Sequence, residues 1–87
     1  MEIANVMEAV NAFGLTKREL DVLEGVLRAE SNNRIASRLS IAPSTVKHHL
    51  ASIFTKVGVM SRLQLAVFAM RHRLTPAGPA AERRAAA

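Results

Sequence analysis

Apolar side chains return every third or fourth position along most of this 87-residue chain, the period of helices that each bury one face. Ile3, Val6, Met7, Val10 and Phe13 form the first stripe and predict a short amphipathic helix over residues 2–13, ended by Gly14. Thr16-Lys17-Arg18-Glu19 reads as a capping box. The helix it opens would bury Leu20, Leu23, Val26 and Leu27 and run to about Ala29. A cap at Ser31 or Asn32 starts another helix, with Ile35, Ala36 and Leu39 on its inner face. Ser40-Ile41-Ala42-Pro43 interrupts the pattern, and a proline at the first helical position presets the backbone for a new helix. That helix, residues 43–57, carries Val46, Leu50, Ile53, Phe54 and Val57, and Gly58 stands where a left-handed cap belongs. Ser61 with Gln64 predicts a second capping box and a last helix through about Arg73. Here Leu63, Ala66, Val67 and Met70 on one side, with Leu65 and Phe68 on another, exceed what one core stripe needs. Thr75 to Ala87 is rich in Pro, Gly and Ala and reads as a frayed tail. No strand pattern occurs, so the fold class is all-α.

Residues 31–50 hold the densest information. A short helix, a tight turn and a longer helix make a helix-turn-helix, and Ser44, Thr45, Lys47, His48 and Ala51 lie off the apolar stripe of the second helix. Short and basic side chains on that face suit a phosphate-lined groove. The charge distribution points the same way. The net charge is +5, but residues 1–30 hold six acids against three bases, whereas residues 31–81 hold seven bases and no acid. A one-signed surface favours a polyanionic partner. The six acids are expected to form a solvated face that keeps the N-terminal end off that partner.

Composition narrows the remaining classes. The length fits one small domain, and a hydrophobic fraction of 49% with only three aromatics requires a core of Leu, Val, Ile and Ala. No run of roughly 18 apolar residues predicts a membrane span, and the first residues lack the pattern of a secretory signal. Without cysteine there is no disulfide framework, thiolate nucleophile or Cys-ligated zinc. His48 and His49 are adjacent on a helix, point about 100° apart and cannot share one ion. Asp21 is the only aspartate and no glycine-rich loop follows a strand, so no enzyme, metal or cofactor is expected. A soluble, cytoplasmic, nucleoid-associated protein is the default.

Leu15-Thr16-x-Arg18-Glu19-x-x-Val22-Leu23, then Ser31-Asn32-x-x-Ile35-Ala36-x-x-Leu39-x-Ile41, then Thr45-Val46-Lys47-x-His49-Leu50-x-x-Ile53-x-x-Lys56-Val57-x-Val59-x-x-Arg62 resembles the LuxR/GerE-type helix-turn-helix domain of bacterial transcription regulators. The resemblance covers residues 15 to about 70. It implies a four-helix domain over residues 15–74: a scaffold helix, a support helix, a recognition helix in the major groove, and a last helix that pairs two subunits. Residues 1–14 would be an N-terminal helix and connector, and 75–87 a flexible tail. The DNA-contacting set it implies is Ser31, Asn32, Asn33, Arg34, Ser44, Thr45, Val46, Lys47, His48, His49 and Lys56. Lys47 and His48, with Thr45, would meet bases; Thr45, His49, Ser31, Asn32 and Asn33 would lie at backbone phosphates, with Lys56 and Arg34 as additional phosphate partners. Ser61, Arg62, Leu65, Val67 and Phe68 would form the homodimer contact. Glu19 is expected to pair with Arg62 between the first and last helices of the domain.

The chain departs from the family pattern at three positions: Ala42 for a capping Ser or Thr, Asn33 for a common Lys, and Ala51 for a longer side chain. The function implied is a homodimeric, sequence-specific regulator on double-stranded DNA, with RNA polymerase as a further candidate partner. Two alternatives share the skeleton. One is the fourth helix-turn-helix region of a small sigma factor, which the Lys56-Val57-Gly58-Val59 turn and the capped helix after it argue against. The other is a small protein of the same fold that binds another regulator or an RNA polymerase component instead of DNA. With only 13 residues before Gly14, the chain is expected to be a stand-alone regulator in preference to a piece of a longer one.

Overall fold

The computed structural model describes residues 12–72, which form four helices with no strand among them. We number them α1 (Lys17–Leu27), α2 (Asn32–Leu39), α3 (Pro43–Val57) and α4 (Arg62–Arg71). The expected helix over residues 2–13 and the tail after Thr75 lie outside the described residues, except that Ala12 and Phe13 carry helical backbone.

Local chemistry sets each boundary. Thr16 Oγ1 accepts from the Glu19 N–H at 3.1 Å while Glu19 Oε1 accepts from the Thr16 N–H at 2.9 Å, so the first capping box forms as expected. Ser31 caps α2 through the Arg34 N–H at 3.1 Å. At the other end of α2, Ser40 adopts the left-handed conformation (φ 58°), and the Ile41 N–H reaches the Ala36 carbonyl at 3.0 Å. This closure turns the chain within three residues, and Pro43 then opens α3. Gly58 ends α3 at φ 79°, as its position predicts. The second capping box is only half made. Ser61 Oγ accepts from the Gln64 N–H, but the Gln64 side chain accepts from Met60, one residue before the cap. Helix α1 also stops at Leu27, two residues early, because Ala29 takes a left-handed conformation (φ 61°).

The core joins all four helices: Leu15, Val22, Leu23 and Val26 meet Ile35 and Ala36 of α2, Val46, Leu50 and Ile53 of α3, and Leu65 and Ala69 of α4. Val22, not Leu20, lies at the centre of the α1 stripe; Leu20 and Leu27 pack from its edges. Helix α1 is therefore the scaffold on which the helix-turn-helix of α2 and α3 rests, and α4 closes the far side.

Gly25 makes the crossing of α1 and α2 possible. A Cβ there would lie 2.5 Å from Ile35 Cγ1, 2.8 Å from Ile35 Cδ1 and 2.9 Å from Glu30 Oε1. Ile35 is fully buried and has nowhere to retreat. Gly25→Ala should therefore destabilise the fold by about 1–3 kcal/mol, although alanine is the better helix former by roughly 0.5–1 kcal/mol. Urea denaturation measures the sign. An alanine variant as stable as the parent would mean the helices can part at little cost.

Candidate nucleic-acid interface

Helix α3 buries Val46, Leu50 and Ile53 completely or nearly so, which turns Ser44, Lys47, His48, Ala51 and Thr55 to the surface on the opposite side. These positions recur at three- and four-residue steps and make one continuous face. Thr45 and His49 flank it, half-buried. Thr55 was not foreseen from the sequence, and its hydroxyl is occupied by the Ala51 carbonyl one turn back. The first turn of α3 has no side-chain cap, since Ala42 offers none. Pro43 has no N–H and the Thr45 and Val46 N–H groups both reach the Ala42 carbonyl, so the Ser44 N–H and the positive dipole end are what open outward, where an anion would be favoured. Ser31, Asn33 and Arg34 lie exposed around the start of α2.

Ion pairing sorts the basic residues into two groups. Arg38 pairs with Glu30 at 2.9 Å, Arg28 with Glu24 at 2.7 Å, Lys17 and Arg18 with Asp21, and Lys56 with Glu19 at 2.7 Å. Four of the six N-terminal acids are thus not a solvated face but partners of these bases. Among the described residues, Arg34, Lys47, Arg62 and Arg71 have no carboxylate partner, and two of these four stand on the α2–α3 surface. Every base on α1 is neutralised, whereas Arg34 and Lys47 leave uncompensated charge on the helix-turn-helix and Arg62 and Arg71 on α4.

Six expected site residues, Val46, Lys56, Leu65, Phe68, Arg62 and Asn32, have roles inside the fold. Val46 is fully buried and cannot reach DNA; its neighbours Thr45 and Lys47 can. Lys56 donates to Glu19 Oε1 at 2.7 Å and to the Gly14 carbonyl at 3.0 Å, so its amine is committed inside the domain. Leu65 is fully buried and Phe68 packs on Phe13 and His72, so neither serves as an open dimer contact. The expected Glu19–Arg62 pair does not form. Arg62 instead donates to Asn32 Oδ1 at 2.7 Å and to the Glu30 carbonyl, tying the start of α4 to the start of α2. Asn32 is consequently a bridge within the fold before it is a phosphate donor. The open apolar surface of α4 consists of Leu63 (75% exposed), Val67 (40%) and Met70 (71%), preceded by Met60 (88%).

Glu19 binds the site together from beneath. It is only 4% exposed, yet it accepts from Thr16 N–H, Ser52 Oγ at 2.6 Å and Lys56 Nζ. Burial alone would push its carboxyl up, but the bonds from Lys56, Ser52 and Thr16 outweigh that and hold it at about 2, against an ordinary 4.5. Since Ser52 and Lys56 belong to α3 and Thr16 caps α1, this carboxylate fixes how the exposed face of α3 is presented.

Helix-turn-helix geometry on a scaffold helix, with a surface of hydroxyl, imidazole and unpaired basic groups, defines a DNA-binding domain of the transcription-regulator class. Residues 14–69 match the luxR family of bacterial regulatory proteins (GerE), and the chain belongs to that family. It is 40% identical over 62 residues to the uncharacterised transcriptional regulatory protein YhcZ of Bacillus subtilis, covering 71% of this chain and 29% of that protein. Identity to the transcriptional regulatory protein LiaR of Bacillus subtilis is 42% over 60 residues, 69% of this chain and 28% of that protein. The response regulator protein VraR of Staphylococcus aureus is 38% identical over 60 residues, 69% of this chain and 29% of its own length. The chain spans less than a third of the length of these curated relatives. No solved structure gives a significant match. No single helix among the described residues is long and apolar enough to cross a membrane.

The folded state binds a proton at Glu19 less readily than the unfolded chain. The carboxylate therefore stabilises the fold fully above about pH 4.5, and that contribution falls away as the pH drops toward 2. The full shift corresponds to about 3 kcal/mol. Urea unfolding between pH 7 and pH 2.5 should show this acid limb, and Glu19→Gln should flatten it while lowering stability at neutral pH. A Gln variant with the parent's pH dependence would remove Glu19 from this role. Lys56→Ala should cost about 1–3 kcal/mol by leaving that buried carboxylate short of a donor, whereas Lys47→Ala should stay within roughly 0.5 kcal/mol.

Proposed function

We propose that this protein is a sequence-specific transcription regulator that binds double-stranded DNA as a homodimer, with the exposed face of α3 in the major groove. The supporting observation is the coincidence of the uncompensated bases Arg34 and Lys47 with the outward face of a helix-turn-helix whose other charges are paired off. Lys47 and His48 are the base-reading side chains, with Ser44 and Ala51 beside them. Ala51 offers a methyl-sized surface suited to a thymine methyl, not a hydrogen bond. Ser31, Asn33, Arg34, Thr45, His49 and the uncapped start of α3 hold phosphates and set the register.

The dimer forms through α4. Leu63, Val67 and Met70 recur at helical spacing and are exposed, an arrangement that a second α4 would bury. Two-fold pairing places two recognition helices in successive major grooves about 34 Å apart on a roughly palindromic site.

Two substitutions test the two halves of this reading. Lys47→Ala should weaken specific binding by about 1–3 kcal/mol with the fold intact. Leu63→Asp should shift sedimentation to the monomer and weaken binding to a two-half-site duplex, while leaving binding to a single half-site unchanged. A Lys47→Ala titration that overlays the parent would take α3 out of the groove. A Leu63→Asp variant that still sediments as a dimer would move the interface elsewhere. The alternative reading, a protein of this fold that binds another regulator or an RNA polymerase component, predicts a different outcome: no duplex affinity in the parent chain.

A further inference from the structure

Arg62 is the first residue of α4, and among the described residues it is the one polar side chain by which that helix bonds to the start of α2. One guanidinium nitrogen donates to Asn32 Oδ1 at 2.7 Å and another to the Glu30 carbonyl. Both acceptors are themselves fixed. Asn32 is the first residue of α2, while Glu30 donates its N–H to the Gly25 carbonyl at 2.9 Å and pairs with Arg38 of α2 at 2.9 Å. Gln64, the next polar side chain of α4, turns back to the Met60 N–H in the connector.

The buried ties of α4 are apolar. Leu65 and Ala69 enter the core, and such contacts resist separation without preferring a direction. A guanidinium differs, because its nitrogens lie in one rigid plane, and two acceptors held in that plane fix its tilt as well as its position. The tie also sits where leverage on DNA is large. Leu63, the next residue, opens the exposed face through which α4 is proposed to pair with its copy. Half of the roughly 34 Å between successive major grooves is about 17 Å, so tilting α4 by about 10° moves each recognition helix by about 3 Å, close to one base-pair step.

We propose that Arg62 is a positioning residue that sets which separation of half-sites the dimer accepts. It acts through Asn32 and the Glu30 carbonyl, locking the angle between the pairing helix α4 and the helix-turn-helix that carries α3. With the angle locked, a site one base pair longer or shorter is bound only by twisting or bending the duplex, at an energetic cost. With the fork removed, the protein takes up the difference and the cost falls. This inference rests on the dimer reading above and adds to it the residue that makes the dimer selective for spacing.

The test uses the full chain and duplexes carrying two copies of the half-site selected from a randomised pool. The copies are set at the selected spacing and at one base pair more and one fewer. The readout is the ratio of affinities between spacings, from which a uniform loss of affinity or of folded protein cancels. The parent should prefer its selected spacing by about tenfold or more. Arg62→Lys keeps the charge but loses the planar fork, and should cut that preference to about threefold or less. Asn32→Ala, which removes one acceptor, should relax it in the same direction. A parent that dimerises in sedimentation and prefers one spacing, with both variants keeping its ratio, overturns the role of Arg62 and leaves the dimer standing. A parent that dimerises but binds every spacing alike also removes the lock alone. A parent that stays monomeric and binds every spacing alike removes the dimer reading, and this inference with it.

Discussion

The carboxylate of Glu19 is the constraint on which the rest of the domain depends. It closes the cap of α1 through Thr16, and from the same two oxygens it receives Ser52 and Lys56 of α3. A buried carboxylate with fewer donors would be costly, so the three bonds require one another. Their joint effect is geometric. Helix α3 is held in one rotation about its own axis, with Val46, Leu50 and Ile53 inward and Ser44, Lys47, His48 and Ala51 outward. Apolar packing alone would tolerate some rolling of the helix; the two directed hydrogen bonds from Ser52 at its middle and Lys56 near its end do not.

The same economy organises charge. Pairs between α1 and its surroundings absorb most of the carboxylates, and Arg62 is spent on Asn32 and the Glu30 carbonyl. Arg34 and Lys47 on the helix-turn-helix, and Arg71 on α4, stay exposed without a carboxylate. Basic residues in this chain are therefore of two kinds, those that hold helices together and those available to a polyanion. Sequence position does not distinguish them: Lys47 and Lys56 lie nine residues apart on one helix, and only Lys47 is free to leave the protein surface.

Helix existence, order and most caps were legible from periodicity and from Thr16, Ser31, Pro43 and Gly58, because these signals act over three or four residues. The luxR-family architecture was legible as well, from motif spacing across the domain. Pairwise side-chain partnerships were not. Glu19 lies at a residue separation of 37 from Lys56 and 43 from Arg62, and nothing local says which base it meets. The fate of Leu65 and Phe68 was hidden for a similar reason: α4 carries more apolar positions than one face holds, so periodicity alone could not say which would be covered. Gly25 gave no warning, since its importance lies in the approach of Ile35 from another helix. The early end of α1 followed from the left-handed backbone at Ala29, which alanine does not announce.

The central claim is that the outward face of α3 reads a particular DNA sequence. Selection of bound sites from a pool of randomised duplexes, followed by titration of the selected site at two salt concentrations, tests it most directly. The account predicts an enriched, roughly palindromic motif whose affinity falls steeply as salt rises. Equal, weak and salt-sensitive binding to every duplex, with no motif enriched, would contradict it.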